Sequence, residues 1–224
     1  MIKNRRRLTC HVADIIRNRI GDINEIYGTG PDLYFYHRVR ELRRQHAHVE
    51  SFLSSDTCLE ILYATLVSWD MNSRRAQMKY FCDFKSNLVD SLAASQAVEA
   101  ALAANDREKA RKSLMLLYDA LDLMKSKRRL VANSKCLHFL FPALCLPIDS
   151  NTLKKLRLGD RSQPKDKETF CEILDFANDV IAEMDNPGQY LDDQWNTCDM
   201  KLVDNAISLL KQRRSRELQL QKLH

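Results

Sequence analysis

Glycine and proline are scarce in this chain, with five of each in 224 residues. Sheet-rich folds of this length need many tight turns, which those two residues usually supply. Their scarcity argues for long helices joined by few loops. No segment alternates apolar and polar side chains as a half-buried strand would. No run of 18 apolar residues occurs, so no membrane span is expected. The N-terminus carries Lys3, Arg5, Arg6 and Arg7 but no apolar region behind them, because Arg17 and Arg19 break up the next segment. It does not read as a secretory leader. The seven cysteines are odd in number and widely spaced, and no C-x-x-C occurs. That argues against a disulfide framework and against a zinc or iron–sulfur site of standard spacing. The expectation is an intracellular, cytoplasmic protein with reduced thiols, no metal and no organic cofactor.

Apolar residues make up 45% of the chain and charged residues 29%, within the range of globular proteins. The formal net charge is +5 and the pI about 8.8, which permits nucleic-acid binding without demanding it. Basic residues cluster at 5–7, 38–44, 125–129, 154–157 and 211–216, while acidic residues gather at 175–185 and 192–204.

Helical periodicity accounts for most of the chain. Val12, Ile15, Ile16 and Ile20 mark a helix over about 8–20. Pro31 suits the first turn of a second, whose apolar face is Leu33, Tyr36, Val39 and Leu42. Ser55 or Asp56 caps a third and unusually apolar one, expected to be central. Asn72 or Ser73 is expected to start a helix through Met78, Phe81, Phe84 and Leu88. Others are expected at 92–104, from Asn105-Asp106 to about Met124, from about Asn133 to Phe141, and after a cap at Asp149 or Ser150. A polar linker at 160–167 precedes two last helices, about 167–185 and 198–218, separated by the turn Asn186-Pro187-Gly188. The expected fold is one all-α globular domain of eight to ten helices. Its core is 56–160, with N-terminal helices over 8–46 and C-terminal helices over 167–218.

The stretch richest in chemistry is 130–158. A basic turn leads into an apolar helix beginning Ser134-Lys135, and a loop then reaches Pro147-Ile148-Asp149 ahead of another helix. A carboxylate at a helix N-terminus is electrostatically favoured. A lysine at a helix start has its pKa lowered by the dipole, which suits an amine nucleophile. The two together place an amine and a carboxylate on one cleft.

This arrangement resembles the helix-hairpin-helix DNA glycosylase superfamily, over roughly residues 56–160. Lys135 falls at the position of the family's nucleophilic lysine and Asp149 at that of its catalytic aspartate. Residues 62–76, from Leu62 through Trp69 to Ala76, are similar to the family's apolar helix, polar turn and following basic helix. The hairpin glycines are absent: Met124-Lys125-Ser126-Lys127-Arg128-Arg129 stands in their place. The separation of 14 residues from Lys135 to Asp149 is shorter than in that family. The four-cysteine cluster of some members is missing. The resemblance implies double-stranded DNA as partner, a nucleoid association, and release of a damaged base extruded from the helix. Asp149 would stabilise the sugar cation or activate water, and Lys135, in a bifunctional enzyme, would attack the sugar C1′. Lys125, Lys127, Arg128 and Arg129 would grip phosphates. Tyr63, Trp69 and His138 are candidates for the base pocket.

Each of these residues also has a plain structural reading. Asp149 serves as a helix cap, Lys135 as a solvated helix residue, His138 as a satisfied core histidine, and Tyr63 and Trp69 as core aromatics. The alternative function is then a non-catalytic helical module that binds nucleic acid or a protein partner.

Overall fold

The computed structural model describes residues 1–71, 77–126, 129–158 and 165–210. Among these, twelve α-helices carry the chain and no strand forms. The chain is all-α, and one contiguous hydrophobic cluster runs through every part of it.

Helix α1 (Arg5–Arg19) turns Val12, Ile15 and Ile16 inward. The short α2 (Asp22–Tyr27) ends at Gly28, whose φ of +57° is a left-handed conformation that side chains with a Cβ resist. Pro31 then opens α3 (Pro31–Gln45), which buries the expected face of Leu33, Tyr36, Val39 and Leu42. The five-residue α4 (Val49–Leu53) leads to α5 (Asp56–Leu66), capped by Ser55, which accepts from the Cys58 N–H at 3.4 Å. That helix unwinds into a π-turn over Val67–Met71.

Two helical expectations fail next to each other, for one reason. The helix expected through Met78 begins only at Phe81, and the helix expected to reach Met124 ends at Ala120. The residues between are extended and pair across the chain. Lys79 N donates to Leu123 O at 3.0 Å, and Lys125 N donates to Gln77 O at 2.9 Å, around a single Met78–Met124 bridge. Backbone groups that a helix would satisfy locally are satisfied here by a distant partner. Residues 72–76, with the expected caps Asn72 and Ser73, lie outside the described residues. Between these segments α6 (Phe81–Asp90), α7 (Leu92–Ala103) and α8 (Arg107–Ala120) pack as a layer. Asp106 caps the third, accepting from Lys109 N at 2.9 Å.

The central helix is α9 (Leu130–Leu140), in which all but Val131 are buried. Its polar residues stitch neighbours to it. Asn133 donates to the carbonyls of Tyr118 and Leu121, both at 3.0 Å. Ser134 accepts from Ile148 N at 3.0 Å. A short α10 (Ser150–Lys155) follows, and then α11 (Asp166–Ala182), a 3₁₀ turn over Pro187–Tyr190 and α12 (Asp199–Ser208). The expected linker falls largely on 159–164, outside the described residues, as does the expected extension of the last helix beyond 210. No helix among the described residues is long and apolar enough to cross a membrane.

Candidate functional site

The Ser134–Ile148 hydrogen bond fixes the geometry of the site. It pins the loop before α10 against α9, so the next residues along each segment, Lys135 and Asp149, are brought to the same place. Both side chains line a cleft of about 260 Å³. Trp69, Trp195, Lys201, Asp204 and Asn205 complete its inner wall, and the exposed Tyr27 and Asp32 stand at its mouth.

Asp149 caps α10 through a capping box. Its Oδ1 accepts from Thr152 N at 2.6 Å and from the Thr152 hydroxyl at 2.9 Å. Its Oδ2 makes no hydrogen bond among the described residues. The cap thus orients the carboxylate and leaves one oxygen for the cleft.

Lys135 is 8% exposed. Its ammonium donates to the Trp69 carbonyl at 2.8 Å and lies 5.5 Å from the centroid of the Trp69 ring. The π-turn explains the first contact, because carbonyls at a helix end lack their usual intrahelical donors. The expectation that Lys135 sits at a helix start is corrected. Because α9 begins at Leu130, Lys135 is its sixth residue, in the second turn. The dipole acts within the first turn, so it is not what sets the character of this amine.

The opposite wall comes from α12 and the loop before it. Lys201 and Asp204 are one helical turn apart and form a buried ion pair of 2.6 Å. The Lys201 ammonium faces three rings: Trp195 at 5.5 Å, Trp69 at 5.6 Å and Tyr36 at 6.0 Å. Burial pushes the Asp204 carboxyl above its ordinary range, against the pull of Lys201; Asp149 raises it further and Lys135 opposes. Asp204 therefore feels the other three charged groups of the cleft. Trp195 is held by its Nε1–H bond to Gly28 O at 3.1 Å and by Asn205, which donates to Trp195 O at 3.0 Å. Asp192 braces the same loop, accepting from the Asn196 side chain at 2.7 Å and from Asn24 at 2.9 Å.

The other residues singled out from sequence lie elsewhere. His138 is fully buried beneath the cleft. Its Nδ1–H donates to Cys145 O at 2.7 Å, which leaves Nε2 to accept from the Tyr36 hydroxyl at 3.2 Å. Tyr36 in turn bonds Thr197 at 2.6 Å. Burial lowers the His138 pKa to about 3, so the ring is neutral. Tyr63 packs edge-on against Phe81 and Phe84 and donates to Lys79 O at 2.9 Å. Neither His138 nor Tyr63 lines the cleft, whereas Trp69 does. Lys125 is exposed and stacks over the Tyr80 ring at 3.9 Å. The Arg129 side chain turns to Asp122 at 3.7 Å and to Asp119 O at 3.4 Å. Lys127 and Arg128 lie outside the described residues. Two arginines of the 38–44 cluster are internal ties as well. Arg40 reaches Thr197 O at 3.2 Å, and Arg43 reaches Glu99 at 3.0 Å.

Sequence reasoning missed Trp195, Lys201, Asp204 and Asn205. The one signal available was Lys201 and Asp204 three apart on a segment otherwise as apolar as Leu202, Val203, Ala206 and Ile207. Among the described residues no group of three or more His, Cys, Asp or Glu is arranged to hold a metal ion. No protein-family model, curated protein or solved structure matches this chain.

Proposed function

We propose that this chain binds double-stranded DNA and hydrolyses the N-glycosidic bond of a damaged or modified base extruded into the cleft. One observation carries the reading. Lys135 and Asp149, at consecutive helices and held by different partners, converge on a tryptophan-walled cleft. Its volume of about 260 Å³ lies below the ~300–1,000 Å³ of sites for larger ligands. Tryptophan faces suit a base taken out of its stack.

In this reading the bond from C1′ to the base nitrogen breaks and its electron pair leaves with the base. The positive charge left on the sugar lies against the Asp149 carboxylate. Water adds to C1′, and its proton passes to Asp149. Lys135 is a positioning group. Donation to the Trp69 carbonyl and the adjacent indole face both favour its charged form, whereas attack on C1′ needs a neutral amine. Of the four residues expected to grip phosphate, Lys125 is the exposed, described one, and it would meet a phosphate.

A second reading has an observation of its own. The capping box explains Asp149 without any chemistry, as it would in a non-catalytic module binding nucleic acid or a protein. Duplexes bearing uracil, 8-oxoguanine or alkylated purines separate the two. The glycosidic reading expects base release from at least one of them, loss of that release in Asp149→Asn, and no borohydride-trapped adduct. A trapped adduct that needs Lys135 would make the enzyme bifunctional. Binding without release of any base would favour the module.

A further inference from the structure

The cleft is lined by three carboxylates, Asp32, Asp149 and Asp204, against two ammonium groups, Lys135 and Lys201. Among the described residues its formal lining charge is therefore 2 − 3 = −1. A cleft built to take a phosphate would carry the opposite sign. The acidic excess belongs with a group that is, or becomes, positive.

Asp204 is the unusual member. It lies 7% exposed on α12 among Leu202, Val203, Ala206 and Ile207, which are buried in the core. An ion pair in such a place contributes little net stability, because removing two charges from water offsets their attraction. Packing alone gives no reason for charge at these two positions of an apolar helix. Lys201 is held in place by the rings of Tyr36, Trp69 and Trp195, so the carboxylate it binds has a fixed direction. The charged and titratable groups facing Asp204 come from every side: Lys201 on its own helix, Lys135 from α9, Asp149 from the loop before α10, and Tyr36 from α3.

We propose that Asp204 is a second carboxylate of the site, which joins Asp149 in stabilising positive charge in the cleft, and that Lys201 positions it. This rests on the glycosidic reading above, since the sugar is the group that becomes a cation. The Lys201 ammonium, 2.6 Å from the Asp204 carboxylate, favours its ionised form against the effect of burial. Asp149, held by its cap, adds a second negative charge to the same field. A neutral ligand of the same shape gains nothing from that field. Discrimination by charge at constant shape is therefore the property to measure.

Two duplexes differ in this way, one carrying a tetrahydrofuran abasic-site analogue and the other a pyrrolidine analogue with a protonated ring nitrogen. Their affinities are read by fluorescence anisotropy on the full chain. The wild type is expected to prefer the pyrrolidine duplex about 100-fold, and Asp204→Asn or Asp149→Asn alone to reduce that to about tenfold. Tetrahydrofuran affinity should move by less than about twofold. Because Asp204→Asn leaves Lys201 buried without its partner, the doubly substituted Lys201→Met/Asp204→Leu chain is measured as well. It leaves no lone buried charge and is expected to show the same tenfold loss. A preference that survives in the folded double variant overturns the role given to Asp204 and leaves the glycosidic reading standing. A wild type with no preference for pyrrolidine overturns the glycosidic reading and the role of Asp204 with it.

Discussion

The two walls of the cleft each supply one lysine and one aspartate, but they hold them differently. On the α9–α10 wall, Lys135 and Asp149 are 14 residues apart and do not share an anchor: Lys135 donates to the Trp69 carbonyl, and Asp149 accepts from Thr152. On the α12 wall, Lys201 and Asp204 are three residues apart and satisfy each other. Burial raises the Asp204 carboxyl, and its pairing with Lys201 opposes that rise. In the proposed reaction the first wall is the working side and the second its support.

The largest effect that can break this comparison is on stability. Lys201→Met strands the Asp204 carboxylate in a buried site, and the expected loss is about 3–5 kcal/mol. Adding Asp204→Leu should restore stability to within about 1 kcal/mol of wild type. Lys135→Met removes the donor to the Trp69 carbonyl, a loss that by itself should cost about 1–3 kcal/mol. Urea unfolding of the three variants checks the ordering. A double variant no more stable than Lys201→Met would make the α12 pair a structural element.

Acid tests how the walls are joined. His138 links them, since Nδ1 holds the Cys145 carbonyl ahead of α10 while Nε2 holds Tyr36, which bonds Thr197 ahead of α12. Its pKa falls from about 6.5 in the unfolded chain to about 3 in the fold, because burial disfavours the charged ring. Between those values the unfolded chain binds a proton that the native one does not. The contribution is complete above pH ~6.5 and is lost as pH falls, by about 1.4 kcal/mol per unit, towards pH ~3. Circular-dichroism melts from pH 7 to 4 should show that slope, and His138→Gln should lack it.

Smaller effects separate the two duties of Asp149. Asp149→Ala removes the cap and should cost about 1 kcal/mol, whereas Asp149→Asn should stay within about 0.5 kcal/mol because asparagine caps equally well. Base release should disappear in both. Release retained in the asparagine variant would assign Asp149 to the cap alone. Smallest is Lys125→Ala, which removes one exposed cation–π contact, worth about 0.5–1 kcal/mol. It should reduce the slope of log affinity against log salt by about one, if Lys125 meets a phosphate.

The working wall was legible in the sequence and the supporting wall was not. The all-α class follows from scarce glycine and proline, and the buried face of α3 from periodicity. The Asp149 cap follows from an acidic residue ahead of a short apolar-spaced segment. Lys201 and Asp204 carry no such mark, because a lysine and an aspartate one turn apart ordinarily read as a solvated helix pair. Trp195 sits in a loop whose shape depends on Asp192, Asn196 and Asn205, which is tertiary information. The single bridge between Met78 and Met124 is too short to leave a period of two, so both flanking helices were expected to run too far. Helices of five or six residues, such as α2 and α4, hold too little sequence to establish a period.

Both tryptophans of the chain, Trp69 and Trp195, line the cleft, so intrinsic emission reports its occupancy directly. The most direct measurement titrates the protein with lesion-bearing and undamaged duplexes of the same sequence, following tryptophan emission together with anisotropy of the labelled DNA. A base seated in the cleft predicts a saturable change in emission with a lesion duplex, at the concentration where anisotropy also saturates, and little change with the undamaged one. Anisotropy that saturates while emission stays constant with every duplex would place DNA elsewhere on the surface and contradict the account.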